Sequence, residues 1–113
     1  MKTIRYTEEQ VIEAVGPLTR TRLHRFVEAE CLMPARDGGE VVFTDADVAR
    51  IELLCELRDD LDIGDEALPV VMNLLDQVHG LRRELRRMAM AIERQPAEVR
   101  AEVLRTRQEL EEG

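Results

Sequence analysis

The chain contains no serine and no tryptophan, a single lysine (Lys2) and only two histidines. Without serine there is no Ser–His–Asp triad, and no Gly-x-x-x-x-Gly-Lys-Ser/Thr loop is present to cradle a nucleotide phosphate. His24 and His79 are far apart in sequence and neither stands beside a cysteine, so no metal cluster or acid–base pair is legible. The acidic run near residue 60 lacks the alternating oxygen ligands and closing glutamate of an EF-hand. Three aromatic residues, Tyr6, Phe26 and Phe43, are too few for a stacking platform that grips single-stranded nucleic acid. The two cysteines, Cys31 and Cys55, form no Cys-x-x-Cys and each sits in an apolar run, which predicts buried, reduced thiols. No run approaches the ~18 consecutive apolar residues of a membrane span, and the first residues lack a secretory apolar core. The expectation is a soluble, cytoplasmic protein that is not an enzyme and takes no cofactor, metal or small-molecule substrate.

What is present suits one small domain. The 113 residues are 44% apolar, so the chain is not disordered, and at this length roughly two-thirds of the unfolded surface is buried on folding. Charge is unevenly placed. Residues 1–36 carry +1, residues 37–66 carry −9, and residues 67–113 hold eight bases and eight acids, for a total of −8. The imbalance is concentrated in Asp59-Asp60-Leu61-Asp62-Ile63-Gly64-Asp65-Glu66. Such a block is either a solvated face or a docking face for a basic partner, and it would repel a phosphate backbone.

Along the chain, Thr7-Glu8-Glu9-Gln10 is a capping box that starts a first helix bearing Val11, Ile12 and Val15, and Gly16-Pro17 stops it. Thr19 caps a second helix with Leu23, Phe26, Val27, Cys31 and Leu32 on its apolar side, ended by Pro34. Two short helices across a tight turn make a helix-turn-helix candidate. Asp37-Gly38-Gly39 followed by Glu40–Phe43 predicts a small hairpin wing. Thr44 with Asp47 caps a third helix carrying Val48, Ile51, Leu54, Cys55 and Leu61, ended by Ile63-Gly64, and Asp65 is placed to cap a fourth. In that fourth helix Val71, Leu74, Val78, Leu81, Leu85, Met88 and Ile92 recur at alternating spacings of 3 and 4, a coiled-coil seam. Leu68 and Leu75 widen its front, where it should meet the globular part. The seam must pack on a second helix of the same chain or on another chain, and a homodimer is the favoured outcome. Residues 97–112 read as a short charged helix that either packs back or frays. The organisation expected is a winged helix-turn-helix at 1–64, a long packing helix at 65–95, and a short terminal helix or tail at 96–113.

This order of elements resembles the MerR-type winged helix-turn-helix over residues 6–90. The matching residues are Leu23, Cys31-Leu32-Met33-Pro34, Gly39, Phe43-Thr44 and Asp47-Val48. The fold class implied is mainly α, with a small β wing and a long C-terminal helix of coiled-coil type. The departures bear on function. Where MerR-type regulators carry Arg-Tyr-Tyr-Glu on the second helix and Tyr-Arg on the wing, this chain has His24-Arg25-Phe26-Val27 and Glu40-Val41. A glycine usual at the end of the second helix is Glu30. Since phosphate contacts supply much of DNA affinity, such a wing binds DNA poorly; only Arg20, Arg22 and Arg25 keep a DNA-binding regulator open as the alternative.

A second resemblance is to the CbpM-type chaperone modulators, carried by Leu57-Arg58-Asp59-Asp60-Leu61-Asp62-Ile63, Leu74-Leu75-Asp76-Gln77-Val78 and Leu81, with Tyr6-Thr7 and Val42-Phe43. It implies binding to the J-domain of a CbpA/DnaJ-type co-chaperone and inhibition of it. J-domains present a basic helix, so the acids Asp59, Asp60, Asp62, Asp65, Glu66 and Asp76 are the expected partner contacts. A competing picture puts the contact on the helix-turn-helix face, at Leu23, His24, Arg25 and Val27.

Overall fold

The computed structural model describes residues 4–113; residues 1–3, part of the start that lacks a secretory core, lie outside them. The elements run β1 (Arg5–Tyr6), α1 (Glu8–Ala14), α2 (Arg20–Glu28), β2 (Ala35–Asp37), β3 (Glu40–Thr44), α3 (Asp45–Asp59), α4 (Leu68–Glu93) and α5 (Ala97–Glu112). The protein is mainly helical, a winged helix-turn-helix with a long C-terminal helix. It divides into two compact units, Met1–Asn73 and Leu74–Gly113.

In the first unit the starts of α1, α2 and α3 form as the sequence predicts. Gln10 N–H donates to Thr7 Oγ1 and Thr7 N–H to Gln10 Oε1; Thr44 and Asp47 repeat the reciprocal pair at α3, and Thr19 Oγ1 accepts from Arg22 N–H. Each satisfies backbone donors that the first helical turn leaves unpaired. The wing is larger than the single hairpin expected. β3 is central in a three-stranded antiparallel sheet of order β1-β3-β2, with Tyr6 opposite Phe43 and Asp37 opposite Glu40. Gly38 and Gly39 join β2 to β3 at φ +60° and +85°, backbone that a two-residue hairpin turn requires and that residues with a Cβ rarely adopt.

Two helices end earlier than their apolar patterns suggest. α2 stops at Glu28, not near Pro34. Glu30 N–H donates to Val27 O and Cys31 N–H to Phe26 O, a Schellman closure with Glu30 left-handed at φ 61°. Cys31 and Leu32 are therefore buried from the loop and not from the helix. α3 stops at Asp59; Asp62 turns left-handed at φ 53°, Ile63 N–H reaches Leu57 O, and Leu61 is exposed. Asp65 does not cap α4. It lies in the turn before that helix, and its carboxylate accepts from Arg58 instead.

The core of this unit gathers Val11, Val15 and Leu18 from the first helix and its turn, Leu23 and Phe26 from α2, Phe43 from β3, and Ile51, Leu54, Cys55 and Leu57 from α3. Leu68 and Met72 from the first turns of α4 are buried with them. Fully burying each large aliphatic or aromatic side chain is worth about 1.5–3 kcal/mol, which this domain sets against the entropy of ordering its backbone. In the second unit, Leu74, Val78, Leu81, Leu85 and Met88 are between 42% and 65% exposed, while Ile92 is half-buried, as is Val71 on the preceding turn of α4. α5 is helical over 97–112, and its Val99, Val103, Leu104 and Leu110 are exposed as well. Among the described residues no helix is long and apolar enough to cross a membrane.

Candidate partner-binding surface

The three arginines that could hold a phosphate all leave α2, and each faces a carboxylate of its own chain. Arg20 Nη1 lies 3.3 Å from Glu8 Oε1. Arg22 grips Asp59 with both terminal nitrogens, at 3.0 and 2.9 Å, and also donates to Pro17 O. Arg25 Nη1 is 4.0 Å from Asp65 Oδ2, the carboxylate that Arg58 also engages. The two-pronged bond from Arg22 holds the Asp59 carboxyl below its ordinary range, and Asp59 in turn raises Arg22. His24 Nε2 sits 2.6 Å from the same Glu8 oxygen that Arg20 faces.

The acids expected to meet a partner are thus of two kinds. Asp59 and Asp65 are committed to arginines within the fold. Asp60, Asp62 and Glu66 are exposed and make no ion pair among the described residues. Asp76 is exposed on α4, in the second unit. On the wing, Asp37 pairs with Arg5 at 3.1 Å, and Glu40 stands exposed at the turn.

Between α2 and the wing runs a groove of about 500 Å³ that the sequence does not announce. Leu23, Val27, Leu32 and Phe43 contribute to its apolar lining, with Val41 and Pro34 from the wing side. Met33 borders it and is 84% exposed. Glu8, His24, Glu28, Glu30 and Arg36 supply its polar groups. Glu28 also lines a neighbouring crevice with Arg25, Asp65 and Leu68. The groove uses Leu23, His24 and Val27 of the competing picture; Met33 and Val41 could have been found only by knowing that α2 ends early and that β3 crosses behind it.

Both cysteines are free and buried. Burial pushes both thiols above the ordinary thiol range, with Arg50 opposing this at Cys31 and Arg22 at Cys55. Such thiols are poor nucleophiles. Among the described residues no three His, Cys, Asp or Glu side chains stand together in a way that would hold a metal ion.

A family model described as MerR HTH family regulatory protein matches residues 7–90. No curated protein and no solved structure matches the chain.

Proposed function

Since the chain belongs to the MerR HTH regulatory protein family, we propose that it uses the family's winged helix-turn-helix to bind a protein and not to read DNA. The observation that carries this reading is the state of α2. Arg20, Arg22 and Arg25 each have a carboxylate of the same chain against them, so a DNA phosphate would have to displace an ion pair at every one. At the wing turn Asp37 is held by Arg5 and Glu40 stands exposed, which leaves Arg36 as the cation of β2 without an ion pair among the described residues. No catalytic role belongs to this reading.

The partner that fits is the J-domain of a CbpA/DnaJ-type co-chaperone, whose activity the bound protein would inhibit in the cytoplasm. The run Leu57–Ile63 and the stretch Leu74–Val78 support it through their resemblance to CbpM-type modulators, and the net −9 of residues 37–66 supports it through charge. Asp60, Asp62 and Glu66 are the acids left to steer a basic helix; Asp76 belongs to the stretch of α4 that carries the resemblance, and Asp59 and Asp65 act by holding Arg22, Arg25 and Arg58. The exposed seam from Leu74 to Met88 is read as the surface for a second copy, giving a homodimer.

Titration of the purified protein with an isolated J-domain tests the reading, alongside a duplex selection at physiological salt. Binding to the J-domain that weakens as salt rises is expected. Replacing Asp60, Asp62 and Glu66 together with lysine should slow association more than it speeds release. Sub-micromolar, sequence-selective duplex binding at that salt would overturn the proposal in favour of a DNA-binding regulator.

A further inference from the structure

We infer that the groove between α2 and the wing is itself a docking site for a helix that presents aliphatic side chains flanked by lysine or arginine. The inference rests on the protein-binding reading above and adds to it the place where apolar contact is made. Three observations combine. The lining is largely aliphatic and aromatic, from Leu23, Val27, Leu32, Val41 and Phe43, and Met33 beside it exposes most of its surface. Exposed methionine adapts its shape to an incoming side chain at small cost. The polar groups around the groove are unbalanced towards acid. Glu28 and Glu30 make no ion pair among the described residues, and Glu8, although shared by Arg20 and His24, adds a third carboxylate. Arg36 is the cation among them that makes no ion pair among the described residues.

The third observation is Glu30. It closes α2 at φ 61°, where glycine costs nothing and a residue with a Cβ is strained. The hydrogen bonds that end the helix come from backbone atoms and need no glutamate side chain. Its carboxylate makes no bond within the described fold, so the strain is matched by no internal gain. A strained residue kept at the edge of a groove points to a role towards a ligand. Acid around an apolar floor selects a cationic amphipathic helix and rejects nucleic acid.

Methyl-resolved NMR on the full chain decides the matter with two probes, an isolated J-domain and a short helical peptide of leucine, lysine and arginine. The expected result is shifts at Val27, Leu32, Met33 and Val41 with either probe. Met33→Lys should weaken the affinity about tenfold or more by placing a charge against the apolar contact and repelling the cations of the incoming helix. Glu30→Gly should weaken it roughly twofold to fivefold and flatten its salt dependence while raising the melting temperature, a combination that a purely structural role does not produce. If the J-domain binds but leaves these methyls unmoved, the groove inference fails and the J-domain reading stands. If the peptide moves them and the J-domain binds nowhere, the groove stands and the partner's identity fails. If neither probe moves them, the inference is wrong.

Discussion

Glu30 and Asp59 show how one side chain can serve stability or oppose it. Replacing Glu30 with glycine removes a left-handed Cβ while keeping the Schellman bonds of Phe26 and Val27. The net of relieved strain and greater unfolded-chain freedom is a gain of roughly 0.5–1 kcal/mol, visible as a rise in the chemical-denaturation midpoint with an unchanged slope. Asp59 works the other way. Its folded pKa lies below its ordinary value because Arg22 donates two hydrogen bonds to the ionised carboxylate. The stability it supplies is complete above the ordinary aspartate range and is lost as pH falls through the lowered folded value. Melting curves of wild type and Asp59→Asn should therefore differ at neutral pH and converge on acidification; a constant gap would mean the pair contributes nothing through charge. The buried thiols of Cys31 and Cys55 should resist alkylation in the native protein and react once it is unfolded.

At the scale of elements, the threonine-capped starts of α1, α2 and α3 and the Gly16-Pro17 stop of α1 are legible in the sequence, while the ends of α2 and α3 and the start of α4 are not. The Thr7/Gln10 and Thr44/Asp47 boxes are local chemistry, complete within four residues, and both form as expected. Thr44→Ala should cost about 1 kcal/mol in thermal or denaturant unfolding, because it strips the oxygen from the junction of β3 and α3. The end of α2 falls short of Pro34 because Cys31 and Leu32 continue an apolar stripe whether or not the chain stays helical. Periodicity records which residues want burial and is blind to a left-handed residue such as Glu30. Leu61 misleads in the same way: its apolar character prolongs the pattern of α3, while the chain turns at Asp62 and leaves it exposed. β1 has no sequence signal because two residues, Arg5 and Tyr6, carry no pattern. It forms by pairing with β3 and through the 2.7 Å bond from Tyr6 Oη–H to Asp45.

For the whole molecule the open surface is the seam of α4. Five side chains from Leu74 to Met88 stand exposed along one helix face, more apolar surface in one row than a single chain usually leaves in water. In the proposed dimer, Leu81→Asp and Leu85→Asp would each place an unpaired carboxylate in the seam between the two copies, at a cost of several kcal/mol. Sedimentation should show the wild type as a dimer and these variants as monomer or aggregate; a wild-type monomer across the micromolar range would refute pairing through α4.

By itself the sequence determined the fold class, the capped starts of α1, α2 and α3, the glycine turn of the wing, the buried thiols and the uneven charge. Each depends on residues close together in the chain or on counts that folding does not change. The seam of α4 is of the same kind, since alternating spacings of 3 and 4 place its residues on one face of any helix that contains them. Only the tertiary structure decided which charges are spoken for. Arg22 and Asp59 are 37 residues apart and meet because α2 packs beside the end of α3, and no spacing rule foretells that meeting. The groove is tertiary for the same reason. Its lining comes from α2, the loop after it and the wing, and these adjoin because Glu30 turns the chain early and β3 carries Phe43 into the core.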